Sequence, residues 1–506
     1  MTIRRSVALF LAAAMAAMIA LPGAAPAQRL DRGYQGGGDK MPGSRGGGGG
    51  HGDRGWRGGG GGLIGLGVGI ATGVIMSAPP AQGTPQDAGK PAKRQSDASR
   101  NTRRGGSGVP PAGERRLVPD EVVVELPNTM PAATVDAVQR RFRLTRLDVQ
   151  PIPLIGSTFY RFRIPDRSNV PAVVRSLEGD RRVASAQPNY LYALQQDANA
   201  AGDAKTETKI ETMPAAKPAS YGDPAQYAVT KMRLQDAHAI AKGGNIKIAV
   251  IDSGIDAEHP ELAGAIAGSF DTLKPPFAPH AHGTAIAALI AGHSRLMGSA
   301  PAASILAVRT FDPSGSGAEA TTFNILKGID WSVAQRANII NMSFAGPADP
   351  AIHRALEAAH KKGIVLIAAA GNAGAKSPPL YPAADPNVIA VTATDATDQL
   401  FKGSNRGRHI AVAAPGVDIL VAVPNGGYEI STGTSYSAAE VSGIVALALQ
   451  RKTDLTPIAV RNLLLSTAKD LGKAGRDDDF GAGSVDAYRT VTEVPGGQVS
   501  DALAPK

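Results

Sequence analysis

The sequence predicts an α/β protein: a doubly wound, mostly parallel sheet with helices on both faces, preceded by a small α+β domain of ferredoxin-like pattern. Three observations predict it. From Tyr221 to about Val494, short and near-continuous apolar runs alternate with segments of helical periodicity, as in parallel strands covered on both faces. Residues 117–194 follow a β-α-β-α-β order, with strand and helix periods in turn. The 506 residues have room for two or three domains, and an apolar fraction of 43% is ordinary for a globular chain.

The first 27 residues read as a secretory leader. Arg4 and Arg5 give a positive start, Val7 to Leu21 is apolar, and Ala25-Pro26-Ala27 is a small-residue cleavage pattern. The alternative is an uncleaved anchor helix, for which the apolar run is short. Export to the periplasm, the cell surface or the medium is expected. Residues 28–116 are rich in Gly, Pro and Arg, with too little apolar surface to offset the entropy of ordering, and are expected to be disordered. Within them, 63–76 is apolar, with Gly65, Gly69 and Gly73 at four-residue spacing. This is a small-residue face of the kind that packs helices in membranes, yet it is shorter than the roughly 20 residues a span needs. It reads either as a membrane or self-association element or as a sticky Gly-rich segment.

Charge follows the same division. The formal net charge is +9, and residues 1–116 alone carry 16 Lys and Arg against 6 Asp and Glu, so the rest of the chain is near −1. No aromatic stacking pattern accompanies the basic residues, and nucleic acid is not an expected partner. The absence of cysteine excludes disulfides, thiolate nucleophiles and thiolate metal sites.

In the 117–194 domain, strands are expected at Val118–Leu126, Ser157–Ile164 and Val183–Tyr192, with a further one around Leu147–Ile152. Helices are expected at Ala132–Phe142 and Val170–Leu177. Residues 195–220 form a polar linker suited to proteolysis. In 221–494, buried strands are expected at Ile246–Ile251, Ile305–Val308, Ile339–Met342, Ile364–Ala370, Val388–Val391 and Ile410–Ala413. Helices are expected near Tyr227–Ala241, Ala281–Ala291, Thr321–Ala334, Ala351–His360 and Ala438–Gln450, the last entered by a tight turn at 433–437. Residues 495–506 form a tail, and no series of barrel strands of the autotransporter kind is expected after Val494.

The candidates for chemistry lie at element boundaries, where α/β sheets gather active groups. Asp252 follows an apolar strand, and by itself is equally a turn or cap residue. His282 opens an apolar helix; with His280 nearby it raises a metal reading, but no Glu-x-x-His or cysteine partner follows. Asn372 follows Gly371 at a strand end, a turn former that is also an amide donor. Ser435 stands in Gly433-Thr434-Ser435 before an apolar helix, where free backbone N–H groups face an attacked carbonyl. Asp…His…Ser is one of the chain orders by which a single triad geometry arises on unrelated folds.

Ile251-Asp252-Ser253-Gly254-Ile255-Asp256 with His259-Pro260, then His282-Gly283-Thr284, Ala370-Gly371-Asn372 and Gly433-Thr434-Ser435, resemble the four signature motifs of the subtilisin-like serine proteases, the subtilases. Ala414-Pro415-Gly416 and Phe480-Gly481-Ala482-Gly483 also fit, and the resemblance spans roughly Gln226 to Tyr488. It implies a serine endopeptidase acting on proteins or peptides through an acyl-enzyme. Ser435 would be the nucleophile, His282 the general base, Asp252 its orienting partner and Asn372 an oxyanion-hole donor. It further implies substrate-binding roles for Ser343, Phe344, Ala345, Gly346, Gly371 and Leu380, with 343–346 pairing to substrate as an added strand. Residues 117–194, with Gln187-Pro188-Asn189-Tyr190 near their end, resemble the family's propeptide, a chaperone and tethered inhibitor released by cleavage in 195–220. The rival class is a non-catalytic peptide-binding or surface-scaffold protein on the same fold.

The chain departs from the family pattern at Ala439, where relatives usually have Pro, and at Glu440, where they often have His. A buried Glu440 requires a partner or protonation. No cofactor is expected. The loop from Gly292 to Met297 is short and lacks the Asn and Asp ligands of a calcium site often found there in the family, which leaves only a weaker structural calcium site elsewhere as an alternative. By the same resemblance, Ala345 in place of a common Gly, and Leu380 near the pocket floor, would narrow the primary specificity pocket. Small or medium uncharged residues are therefore expected before the scissile bond; a peptide-library profile dominated by Phe, Arg or Lys there contradicts this.

Overall fold

The computed structural model describes residues 106–194, 222–273, 278–313 and 318–494. The leader, most of the Gly-rich region including 63–76, the 195–220 linker and the tail lie outside the described residues.

The first domain contains β1 (Leu117–Pro127), α1 (Ala132–Arg141), β2 (Thr145–Ile152), β3 (Ser157–Arg163), α2 (Val170–Glu178) and β4 (Ser185–Leu194). Its strands pair antiparallel in the order β4-β1-β3-β2, the ferredoxin-like arrangement expected from the sequence. Residues Glu121 to Leu126 of β1 are buried on both faces. Val122 and Val124 pack with Val135, Val138, Val174 and Leu177 of the two helices, while Val123 joins a different core shared with the larger domain. A sheet buried on both sides has no solvent face of its own.

The larger domain begins with α3 (Tyr227–Lys231) and α4 (Leu234–His238). One continuous helix was expected there; the chain instead breaks at Arg233, whose φ of 57° cannot propagate a right-handed helix. There follow β5 (Lys247–Asp252), β6 (Ile266–Asp271), α5 (Ala281–Ala291), β7 (Ser304–Arg309), β8 (Glu319–Thr321), α6 (Thr322–Ala334), β9 (Ile339–Met342), β10 (Phe344–Ala345) and α7 (Pro350–Lys361). The domain continues with β11 (Val365–Ala369), β12 (Val388–Thr394), β13 (Ile410–Pro415), β14 (Ile419–Val423), β15 (Gly427–Ser431), α8 (Thr434–Arg451), α9 (Pro457–Thr467) and α10 (Ala487–Thr492). Helix α8 starts at Thr434, so 433–437 is not the separate turn expected from its small residues: Thr434 to Ser437 are the helix's first turn.

Seven strands form a parallel sheet in the order β13-β12-β11-β9-β5-β7-β6. Helices α5 and α8 pack in the core on one face, α6 and α7 in the core on the other. From β5, in the middle, the chain first builds β6 and β7 to one side and then crosses to β9, β11, β12 and β13. That reversal opens a crevice at the carboxyl ends of β5 and β9.

The two domains share a sheet edge. The end of β4 lies between β10 and β8, antiparallel to both, with Leu194 opposite Phe344, Ala193 opposite Ala345 and Tyr192 opposite Ala320. Tyr192 is fully buried, edge-on to Phe344 at 5.9 Å, and its hydroxyl donates to the Pro347 carbonyl at 3.1 Å. Gly346 makes room for it: a Cβ there would lie 2.3 Å from the Tyr192 ring. Arg354 pairs with Glu125, and Lys327 with Asp148 at 2.9 Å. Asn189 accepts from the Phe323 N–H at 3.2 Å and Gln187 from the Ala351 N–H at 3.1 Å, so the first domain caps the N-termini of α6 and α7. Gly346→Val should therefore loosen the joint by about 1–3 kcal/mol. In the full chain carrying Ser435→Ala, hydrogen exchange at 191–194 should speed up about tenfold or more, with β5 and β11 unchanged; unchanged protection of β4 contradicts the packing argument.

Candidate active site

The predicted site residues converge on the crevice. Asp252 ends β5 and is fully buried, with the Ser253 N–H donating to its Oδ1 at 2.7 Å. His282 is the second residue of α5, and its Nδ1 lies 2.8 and 3.0 Å from the two Asp252 oxygens. An ionised carboxylate only accepts, so Nδ1 carries the proton and Nε2 is the bare, basic nitrogen. Nε2 is buried and has no hydrogen-bond partner among the described residues.

Ser435 is the second residue of α8, fully buried, at the end of a helix whose N–H groups and dipole favour negative charge. Its Oγ donates to the Ser343 carbonyl at 3.3 Å, and Ser343 Oγ donates to the Ser435 carbonyl at 3.2 Å. In this rotamer the Ser435 hydroxyl is on Ser343 rather than on His282. Asn372, just beyond β11, accepts at Oδ1 from the Thr434 N–H at 3.1 Å and the Thr434 hydroxyl at 2.8 Å, and Thr434 Oγ1 accepts in turn from the Gly371 N–H at 3.1 Å. With its carbonyl end so engaged, the amide turns its NH2 end away from Thr434.

Phe344 and Ala345 form β10 and are covered by β4; Gly346 pairs with Tyr381 through both backbone groups, at 2.8 and 3.1 Å. Leu380 is buried beside Gly371. Sequence reasoning assigned no role to Thr434, which orders Asn372, nor to Tyr436, whose ring centroid is 6.2 Å from that of His282 and whose hydroxyl pairs with Ser431 at 2.7 Å. Both flank Ser435, and only that adjacency signalled them. Among the described residues no cluster of three or more His, Cys, Asp or Glu is placed to hold a metal. Glu261 organises the loop after α5. This buried carboxylate accepts the N–H groups of Ser294, Arg295 and Leu296 at 2.8–2.9 Å, and the Tyr428 hydroxyl at 2.8 Å.

Glu440 is buried in α8 with Ser299 as its hydrogen-bonding neighbour, and Oε2 has no partner among the described residues. Burial pushes its pKa up to about 8 from an ordinary value of 4.5. The neutral acid is the form that fits, so stability is fully present below the unfolded pKa near 4.5 and is lost as pH rises through about 8. Glu440→Gln should remove a loss on the order of 4 kcal/mol across that interval. Melting temperatures at pH 5, 6.5 and 8 check it: the variant should gain most at pH 8, and parallel pH profiles for both proteins contradict the assignment.

Residues 243–483 match the model of the subtilase family. The minor extracellular protease Epr of Bacillus subtilis (strain 168) is 38% identical over 258 residues, 50% of this chain; the chain spans 39% of the length of that relative. Thermitase of Thermoactinomyces vulgaris is 36% identical over 279 residues, 54% of this chain and 97% of thermitase. The crystal structure of fervidolysin from Fervidobacterium pennivorans, described as a keratinolytic enzyme related to subtilisin, superposes with a TM-score of 0.63 and 25% identity, over 76% of this chain and 62% of that one. A crevice at the reversal point of a parallel sheet, with an Asp–His pair and a serine at a helix N-terminus, is thus matched by near-complete alignment to a curated relative: the chain belongs to the subtilase family of serine endopeptidases.

Proposed function

We propose that this chain is an exported serine endopeptidase, made as a zymogen inhibited by its own 117–194 domain. The observation that carries the reading is where β4 leads. Its last paired residue, Leu194, is opposite Phe344, one residue from Ser343, whose carbonyl holds the Ser435 hydroxyl. The β8–β10 groove therefore takes an extended peptide by strand addition and directs it at Ser435. β4 occupies the groove as a substrate would, and its covalent tether keeps its effective concentration high. Cleavage within 195–220 would free it. The caps that Gln187 and Asn189 supply to α7 and α6 fit a second role, as a template for folding.

The chemistry follows from the geometry. Rotation of the Ser435 side chain frees its Oγ for attack on the peptide carbonyl, and its proton passes to His282 Nε2. Asp252 holds the ring and stabilises the imidazolium without taking the proton. The tetrahedral oxyanion is met by the Ser435 N–H and the Asn372 NH2. Collapse expels the amine with the proton from His282 and leaves an acyl-enzyme, which water hydrolyses by the same steps. No step calls for a metal or other cofactor. The leader at 1–27 supports export, and Epr is named an extracellular protease; among the described residues no helix is long and apolar enough to cross a membrane.

A non-catalytic peptide-binding protein would share the β8–β10 groove, and labelling separates the two readings. A fluorophosphonate should modify the processed wild-type protein and not the Ser435→Ala chain; a correctly processed protein that resists labelling is a binding protein. Asn372→Ala should lower kcat by about 10²–10³ with little change in KM, the magnitude established for removing an equivalent donor in a subtilisin of the same family.

A further inference from the structure

We propose that His280 is a positioning residue for the catalytic pair: it holds the Ser253 hydroxyl, and through it the Asp252 carboxylate and the backbone of His282, in register. The proposal rests on the reading of Asp252, His282 and Ser435 given above. It differs from the metal reading that two neighbouring histidines suggest in the sequence.

The residues form a closed ring of contacts. His280 is the N-cap of α5, and its Nδ1 accepts from the His282 N–H at 3.3 Å. The same Nδ1 is 3.0 Å from Ser253 Oγ. Ser253 Oγ is 3.1 Å from Asp252 Oδ1 and accepts from the Gly283 N–H at 3.1 Å. Asp252 closes the ring on His282 Nδ1. Gly283 allows this approach, since a Cβ there would lie 2.8 Å from the Ser253 carbonyl oxygen and 3.1 Å from its Oγ. The His280 N–H donates to the Gly254 carbonyl at 2.9 Å, which ties the segment before α5 to the loop after β5. Ser253 is buried and His280 half-buried, so neither role passes readily to water.

The proton inventory gives His280 a defined job. Because Nδ1 accepts from the His282 N–H, neutral His280 carries its proton on Nε2. Ser253 has one hydroxyl proton for two acceptors, Asp252 and His280. A proton gained by His280 goes onto Nδ1. That proton would point at Ser253 Oγ, commit the serine's own proton to Asp252, and set N–H against N–H at the cap of His282. A cation would also stand beside the imidazolium that catalysis requires. The charged groups facing His280 are His282, on the helix it caps, and Asp252, at the end of β5. Burial lowers the His280 pKa below its ordinary value, the His282 charge lowers it further, and Asp252 opposes both. His280 thus works as the neutral acceptor, and its protonation reaches Asp252 and the backbone of His282 through this ring of contacts.

Two readouts test this, one independent of activity. In the full chain carrying Ser435→Ala, the low-field proton resonance of the His282 Nδ1–H bonded to Asp252 should titrate in two steps. With His280→Asn added it should titrate in one, because Asn caps and accepts but takes no proton. In the active protein, His280→Ala should lower kcat about tenfold to a hundredfold with KM little changed, and His280→Asn should restore it to within about threefold. The acid limb of log kcat/KM should reach a slope of two in the wild type and one in His280→Asn. The proposal is overturned if the resonance titrates identically with and without His280→Asn, or if folded His280→Ala matches wild-type kcat. Should His280→Ala fail to fold, the Asn variant alone decides. A wild-type protein that no fluorophosphonate labels refutes the endopeptidase reading, while the resonance still decides the role of His280.

Discussion

The site depends on the burial of α8. From Thr434 to Leu449 every residue of the helix is buried, which leaves it no solvent face and no freedom to roll. It packs on α5 and across β9, β11, β12 and β13. A helix enclosed on all sides is fixed along its length, and its N-terminus falls at the carboxyl edge of the sheet. Ser435 is therefore placed by the packing of a whole helix rather than by a loop. Helix α5, equally apolar, carries His282 in the same core, and β5, in the middle of the sheet, supplies Asp252. Rigid elements hold all three groups.

The first domain exploits the opposite property, a short edge left open. Strands β8 and β10 have three and two residues, too few to form a sheet with each other across the groove. Each pairs with β4 instead, so the groove becomes a sheet only when a strand lies in it. The same peptide hydrogen bonds serve any extended chain, and side chains add selectivity: Tyr192 is enclosed by Phe344, the Pro347 carbonyl and the space above Gly346. The joint also carries buried polar groups. Asp349 is buried and accepts from Gln187, Thr322 and the first N–H groups of α7; burial raises its pKa while those donors oppose the rise. Removing the first domain would return water to Asp349 and to both helix ends, so the cost of separation is partly recovered by solvation.

The sequence shows the sheet clearly because its strands are buried on both faces. Residues of β9, β11 and β12 are all buried, and such strands read as unbroken apolar runs bounded by turn residues. The four motifs were legible for a related reason: each sits at a boundary where backbone geometry restricts composition. Other features left weaker marks. The β14–β15 hairpin passed unnoticed although Asn425-Gly426 stands at its turn, because β15 is only partly buried and lacks an apolar stripe. The edge strand β6 has no fully buried residue, and α9 and α10 lie beyond the four signature motifs. The break at Arg233 has no local breaker residue: the chain passes there through a left-handed φ of 57° on an ordinary side chain. The fit of Tyr192 over Gly346, and the ring through His280 and Ser253, join residues far apart in sequence and have no spacing signature.

Two titratable side chains, Glu440 within α8 and His280 at the N-cap of α5, act on the same geometry from opposite sides. Glu440 lies where α8 meets the segment after α5: Ser299 donates to the Leu289 carbonyl of α5, and a Cβ at Gly443, one turn beyond Glu440, would fall 2.0 Å from the Ser299 hydroxyl. The Glu440 carboxyl is buried at that contact, away from bulk water. Ionising Glu440 therefore strains the packing of α8 on α5, which sets the separation of Ser435 from His282. His280 works at the other end of α5, where a proton would disturb the cap of His282 and the hydroxyl that Asp252 shares. Burial lowers the His280 pKa from 6.5 and raises that of Glu440 to about 8. Both groups are uncharged between those limits. The geometry is self-consistent in that interval, with acid acting on it through the α5 cap and alkali through the α5–α8 contact.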